Sequence, residues 1–234
     1  MNTLMRRVAA EFFGTAFLVA AIVGSGIMAE RLAGENIAMA LFANTIATGA
    51  ALVALILAFG PISGGHFNPA VTFVDAIEHG VPWSVAGCYL GSQCVGAISG
   101  TITAHLMFGL PAVALSHRAR ASFAQTFSEF VATFGLLCVI WGCSRKRAEM
   151  IPFAVGAYIT AAYWFTSSTS FANPAVTLAR SLTDTFSGIR PLDVPLFLTA
   201  QFCGAIAATL LFRWLVPGLH ASAKAILVSA GPTA

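Results

Sequence analysis

The sequence predicts an all-α membrane protein of six transmembrane helices and two re-entrant half-helices, arranged as an inverted repeat. Three observations carry that expectation. Hydrophobic residues make up 58% of the 234-residue chain and charged residues only 9%, where a soluble domain carries about 25% charged residues. The apolar residues fall in long stretches rather than in the short alternating segments of a membrane barrel. The string Asn-Pro-Ala-Val-Thr occurs twice, at Asn68 to Thr72 and at Asn173 to Thr177, 105 residues apart.

The elements follow in order. A spanning helix needs about 20 mostly apolar residues, and six segments qualify: 8–28, 37–60, 83–107, 123–142, 151–169 and 194–216. The first contains Glu11 and is longer than the apolar region of a signal peptide, so a retained span is expected. Two shorter stretches, 68–78 and 173–183, begin at the Asn-Pro-Ala strings. Neither can cross a bilayer, and non-helical backbone at membrane depth survives only when buried in protein or lining a wet cavity. Trp83 and Trp214 near span ends have the place of interfacial anchors. The five cysteines lie mostly in apolar segments and read as packing residues. No metal-like cluster is evident, and no metal, cofactor or catalytic residue is expected. No basic patch points to nucleic acid.

Arg and Lys set orientation. Arg6 and Arg7, Arg145 to Arg147, and Lys224 all fall on one side if there are six spans, which makes that side, and both termini, cytoplasmic. Arg118 and Arg120 fall on the other side and stand against a clean split. The two halves, approximately 1–112 and 118–220 of a single membrane domain, also match outside the repeated string. Glu11-Phe-Phe-Gly-Thr15 resembles Glu129-Phe-Val-Ala-Thr133, and Gln93-Cys-Val-Gly96 resembles Gln201-Phe-Cys-Gly204. Three spans per half require the second half to enter from the opposite face.

The motif has a physical use. Pro69 and Pro174 suit a first helical turn, where a missing N–H is harmless. Asn68 and Asn173 then stand at N-caps, leaving amide NH2 groups to point into a lumen. Ala70 and Ala175 complete the motif. Two half-helix N-termini meeting at the midplane bring two positive dipole ends together, a site that donates to neutral solutes and repels cations. A permeant oxygen accepting from both Asn residues would interrupt a proton-conducting chain.

With Ser63-Gly-Gly-His-Phe-Asn-Pro-Ala-Val-Thr72, the second Asn-Pro-Ala, Glu11, Glu129 and the Gln93 and Gln201 segments, the chain resembles the major intrinsic protein family, the aquaporins and aquaglyceroporins. The resemblance covers nearly the whole sequence. It implies an aquaporin-like fold, a homotetramer in the lipid bilayer with one pore per subunit, and Glu11 and Glu129 as acceptors bracing the re-entrant loops. Most members of the family place Arg after the second Asn-Pro-Ala. Here that residue is Val176, and the nearest Arg is Arg180, one helical turn on. Spacing from the motifs places the other constriction residues at Thr48, Ala161 and Ser170.

All four are small and uncharged, so a wide, weakly polar filter is expected. Its solutes would be small neutral molecules: glycerol-like polyols, undissociated arsenous and antimonous acid, methylated arsenicals and some water. The pattern is similar to that of the bacterial aquaglyceroporins associated with arsenic resistance, which implies the inner membrane as location. Arg180 is read as an exposed loop-side charge near Asp184, with a bend toward the outer mouth as the other reading. His66 either lines the cytoplasmic vestibule or braces its loop. A water-selective channel and a secondary transporter, which also uses inverted repeats and broken helices, are the competing functions.

Overall fold

The computed structural model describes residues 3–144 and 147–216. Arg145, Lys146 and Lys224, used above for orientation, lie outside the described residues, as does the end of the second repeat beyond 216. The described chain is helical, with no strand. In order it forms α1 (Leu4–Ala33), α2 (Ile37–Ser63), α3 (Pro69–Ile77), α4 (Trp83–Met107), α5 (Phe123–Ser144), α6 (Ile151–Phe165), α7 (Pro174–Arg180) and α8 (Val194–Leu215).

Each boundary has a local cause. Thr3 accepts the Arg6 amide at the start of α1, and Asn36 accepts the Met39 amide 3.0 Å away at the start of α2. Helix α2 ends where Gly64 turns left-handed, with φ of 99°. The half-helices α3 and α7 begin on Pro69 and Pro174 behind Asn68 and Asn173. Helix α6 is shorter than the expected 151–169, because Thr166 is already extended and Thr169, Ser170 and Ala172 all take positive φ. Helix α7 likewise stops at Arg180 rather than 183, since the carbonyls of Ser181 and Leu182 turn to accept the amides of Ser116 and Ala114.

Helix α1 packs on α2 and α4, and α5 packs on α6 and α8, with α2 against α6 joining the halves. Both half-helices lie against α4 and α8 and touch each other. Close approach in these pairs depends on glycine. A Cβ on Gly96 of α4 would lie 2.5 Å from the Phe12 carbonyl oxygen of α1, and one on Gly204 of α8 would strike the Phe130 carbonyl oxygen of α5. The outer faces stay apolar: Phe17, Phe42, Phe127, Trp164 and Leu210 are exposed. Helices apolar on both the packed and the outer side are what a bilayer asks for. Four of them, α1, α2, α5 and α8 with its preceding turn, are long and apolar enough to cross a membrane by composition alone.

Candidate pore

The two half-helices meet at their N-termini. Asn68 Oδ1 accepts the Ala70 amide at 2.9 Å, and Asn173 Oδ1 accepts those of Ala175 and Val176 at 3.0 and 3.3 Å. Each amide nitrogen reaches across the junction. Asn68 Nδ2 donates to the Ala172 carbonyl and Asn173 Nδ2 to the Phe67 carbonyl, both at 2.8 Å. Each NH2 has two hydrogens, so one locks the junction and one remains. Both asparagines stand in the wall of one cavity.

One side of that wall is apolar. Leu18 and Ile22 of α1, Leu52 and Ile56 of α2, Leu136 and Ile140 of α5, and Ile151, Val155 and Ile159 of α6 supply it. The wall also includes irregular backbone: Gly64 to His66 before α3, and Ser170 to Ala172 before α7. The two loops repeat one conformation. Positive φ falls at Gly64, Gly65 and Phe67, and again at Thr169, Ser170 and Ala172, in each case four, three and one residues before Asn. In the second loop none of the three is glycine, a conformation that costs energy and needs support.

Glu11 and Glu129 supply it. Glu11, fully buried, accepts from the amides of His66 and Phe67 at 3.0 and 2.7 Å, from Ser63 Oγ at 2.6 Å and from Gln93 Nε2 at 2.8 Å. Glu129 accepts the amides of Phe171 and Ala172, each at 2.8 Å, and Gln201 Nε2 at 2.6 Å. Gln93 and Gln201 pass on to Thr72 and Thr177 of the half-helices, both at 2.8 Å. His66 lines the cavity, with Nδ1 3.1 Å from Thr72 Oγ1 and Nε2 3.8 Å from a carboxylate oxygen of Asp75.

Three of the four constriction residues placed by spacing, Thr48, Ser170 and Val176, are in the cavity wall. Ala161 is not: it is exposed on the outer face of α6. Tyr163, turned about 200° further round the helix, faces inward instead, its hydroxyl 3.2 Å from Thr48 Oγ1. Arg180 departs from the first of its two readings. It is 2% exposed and in the cavity wall, not a loop-side charge. Its Nε donates to the Ser187 carbonyl, and its guanidinium carbon lies 3.3 Å from the centre of the Phe171 ring. Asp184, its expected neighbour, instead accepts from the amide and ring of His117 at 2.9 and 3.1 Å. These bonds hold the Asp184 carboxyl below its ordinary range. The cavity wall around Thr48, Ser170 and Val176 is thus neither uncharged nor lined only by small side chains.

A cavity lined by α1, α2, α5 and α6, with both asparagines in its wall and two capped half-helices joined tip to tip beside it, agrees with the comparisons. The family model described as major intrinsic protein matches residues 1–170 and 144–233. The chain belongs to the major intrinsic protein family. Aquaglyceroporin AqpS of Rhizobium meliloti (strain 1021) is 55% identical over 213 residues, 91% of each chain. Aquaporin NIP1-4 of Oryza sativa subsp. japonica is 32% identical over 215 residues, covering 88% of this chain and 75% of that one. The X-ray structure of the aquaglyceroporin from Plasmodium falciparum superposes with a TM-score of 0.71 at 22% identity, over 93% of this chain and 99% of that one, which shows the shared fold. As a major intrinsic protein this is a multi-pass membrane channel and not an enzyme, and channels of this family pass small neutral solutes.

Tyr163 and Phe171 were missed from sequence. Tyr163 carried a signal: Ile151, Val155, Ile159 and Tyr163 recur every fourth residue, the period of one helix face. Phe171 sits in irregular backbone, where no period operates.

Proposed function

We propose that the chain is a passive channel for small uncharged solutes: glycerol-like polyols and undissociated arsenous and antimonous acid, with methylated arsenicals and some water. The observation that carries the reading is the crossed pair of bonds, Asn68 to Ala172 and Asn173 to Phe67. They fix two donor groups in the lumen at the meeting point of two positive helix ends. A solute oxygen accepts there while the apolar stripe of Ile56, Val155 and Ile159 excludes a continuous hydrogen-bonded path. Val176 in place of a long cation leaves room beside Thr48 and Ser170 for solutes larger than water, and the relative AqpS bears the name aquaglyceroporin.

The secondary-transporter reading needs a carboxylate free to titrate within the membrane. Glu11 and Glu129 are occupied by amide and Gln donors, so neither is such a carboxylate. The same bonds support 1–112 and 118–220 as inverted repeats, since Glu, Gln, Thr and Asn take equivalent partners in each. Orientation with cytoplasmic termini, in a bacterial inner membrane, is supported by Arg6 and Arg7. Arg118, which opposed it, is paired with Glu30 at 2.7 Å, and Arg120 donates to the carbonyls of Ser168 and Gly188 at 2.9 Å.

The test is swelling of proteoliposomes in water, glycerol and arsenous acid for the wild type and Val176→Arg. The substitution is expected to suppress glycerol and arsenous acid before water. Equal flux of all three in both forms would remove Val176 from the constriction; no solute-driven swelling in wild type would sink the channel itself.

A further inference from the structure

Arg180 is a buried cation that the conduction account above does not use. Its Nε is satisfied by the Ser187 carbonyl, but Nη1 has no protein partner. Among the described residues no carboxylate forms an ion pair with it. The aromatic face it rests on, Phe171, carries a second guanidinium: Arg120 lies 4.9 Å from the same ring centre. The negative ring face offsets part of a cation's charge, yet here one ring serves two. Arg120 is turned away, held by the carbonyls of Gly188 and Ser168, whereas Arg180 stands in the cavity wall with Thr48, Tyr163, Ser170 and Val176.

Burying a charge without a partner is unfavourable unless something else meets its donors. In a conducting cavity, water and solute oxygens do so. We propose that Arg180 sets the charge selectivity of this constriction: it is the fixed cation that turns back metal cations, and its free N–H donors receive the oxygens of neutral hydroxylated solutes. The proposal rests on the reading of the cavity as a pore. It deepens that reading by placing the polar element on the last residue of α7 rather than on the residue after the motif. Its place on α7 supports this, because Arg180 stands in the same cavity wall one helical turn on from Val176. Fixed by the Ser187 carbonyl and stacked on Phe171, the guanidinium holds its place without a carboxylate that would cancel its charge. In a low-dielectric passage such a charge acts strongly on an ion and weakly on a neutral molecule.

The experiment compares wild type with Arg180→Leu, Arg180→Gln and Arg180→Lys in proteoliposomes, reading sodium leak with an enclosed sodium indicator and glycerol flux by swelling. Leu and Gln are expected to raise sodium leak by about tenfold or more, a barrier change of about 1.4 kcal/mol, while Lys keeps the leak at the wild-type level. Sodium leak unchanged in Leu or Gln variants that still pass glycerol would overturn the proposal, as would a Lys variant as leaky as Leu. Sodium conduction by wild type would overturn it too, and needs no variant to fold. Absence of glycerol flux in wild type would instead fail the channel reading on which the proposal stands.

Discussion

Glu129 holds a left-handed loop that contains no glycine. Its two carboxylate oxygens accept the amides of Phe171 and Ala172 and the amide of Gln201. Removing it orphans three buried donors, each costing about 1–3 kcal/mol. Glu129→Ala is therefore expected to destabilise the fold by about 3–5 kcal/mol, read as a lowered midpoint of chemical unfolding in detergent. Glu129→Gln, which keeps one acceptor, should lose less. A midpoint unmoved by Ala would show that the loop stands without the carboxylate. Glu11 braces a loop in which Gly64 and Gly65 take positive φ without a Cβ penalty. The equivalent loss at Glu11 is accordingly expected to be milder in conformational strain.

At the scale of elements, the helix pairs α1 with α4 and α5 with α8 close on backbone at glycine, at Gly96 and Gly100 in the first pair and at Gly204 in the second. Gly96→Ala sets a methyl against the Phe12 carbonyl, an overpacking worth about 1–3 kcal/mol. Gly87→Ala on the same helix meets nothing within 4 Å and should be neutral or slightly stabilising. The contrast, read by thermal unfolding of the two purified variants, removes helix propensity as the explanation; equal effects would deny the close approach. The loop after α4 is clasped to the loop after α7 by Asp184, whose carboxyl is held down first by the His117 amide and then by the His117 ring. A depressed carboxyl adds stability above its ordinary value of 3.8, lost as pH falls through the folded value. Amide exchange at His117, corrected for intrinsic rate, should show protection at neutral pH that fades below 3.8. Protection that persists there would mean the clasp does not depend on the charge.

For the molecule as a whole, a passive pore dissipates gradients and couples to none. Glycerol flux is expected to be the same with and without an imposed pH gradient across the vesicle; flux that follows the proton gradient would restore the transporter. The exposed Phe, Ile and Trp side chains of the outer faces suit a lipid surround. A tetramer would give a detergent-corrected mass near four times the 24.4 kDa chain.

The sequence by itself determined the class, the number of helices and the junction. Long apolar stretches leave few alternatives in a bilayer, and Asn-Pro marks a helix start because proline suits the first turn and asparagine its cap. The loop acceptors came from the family resemblance, because an ionisable residue inside a span is equally what a proton relay would use. What the tertiary structure alone decided was which side chains face the lumen. A two-residue error in counting back from Asn173 turns a helix by more than half a revolution, which is why Ala161 faces outward and Tyr163 inward. Arg180 went further from expectation. Its position depends on a carbonyl at Ser187 and a ring at Phe171, brought to it by two loops whose paths no local pattern encodes.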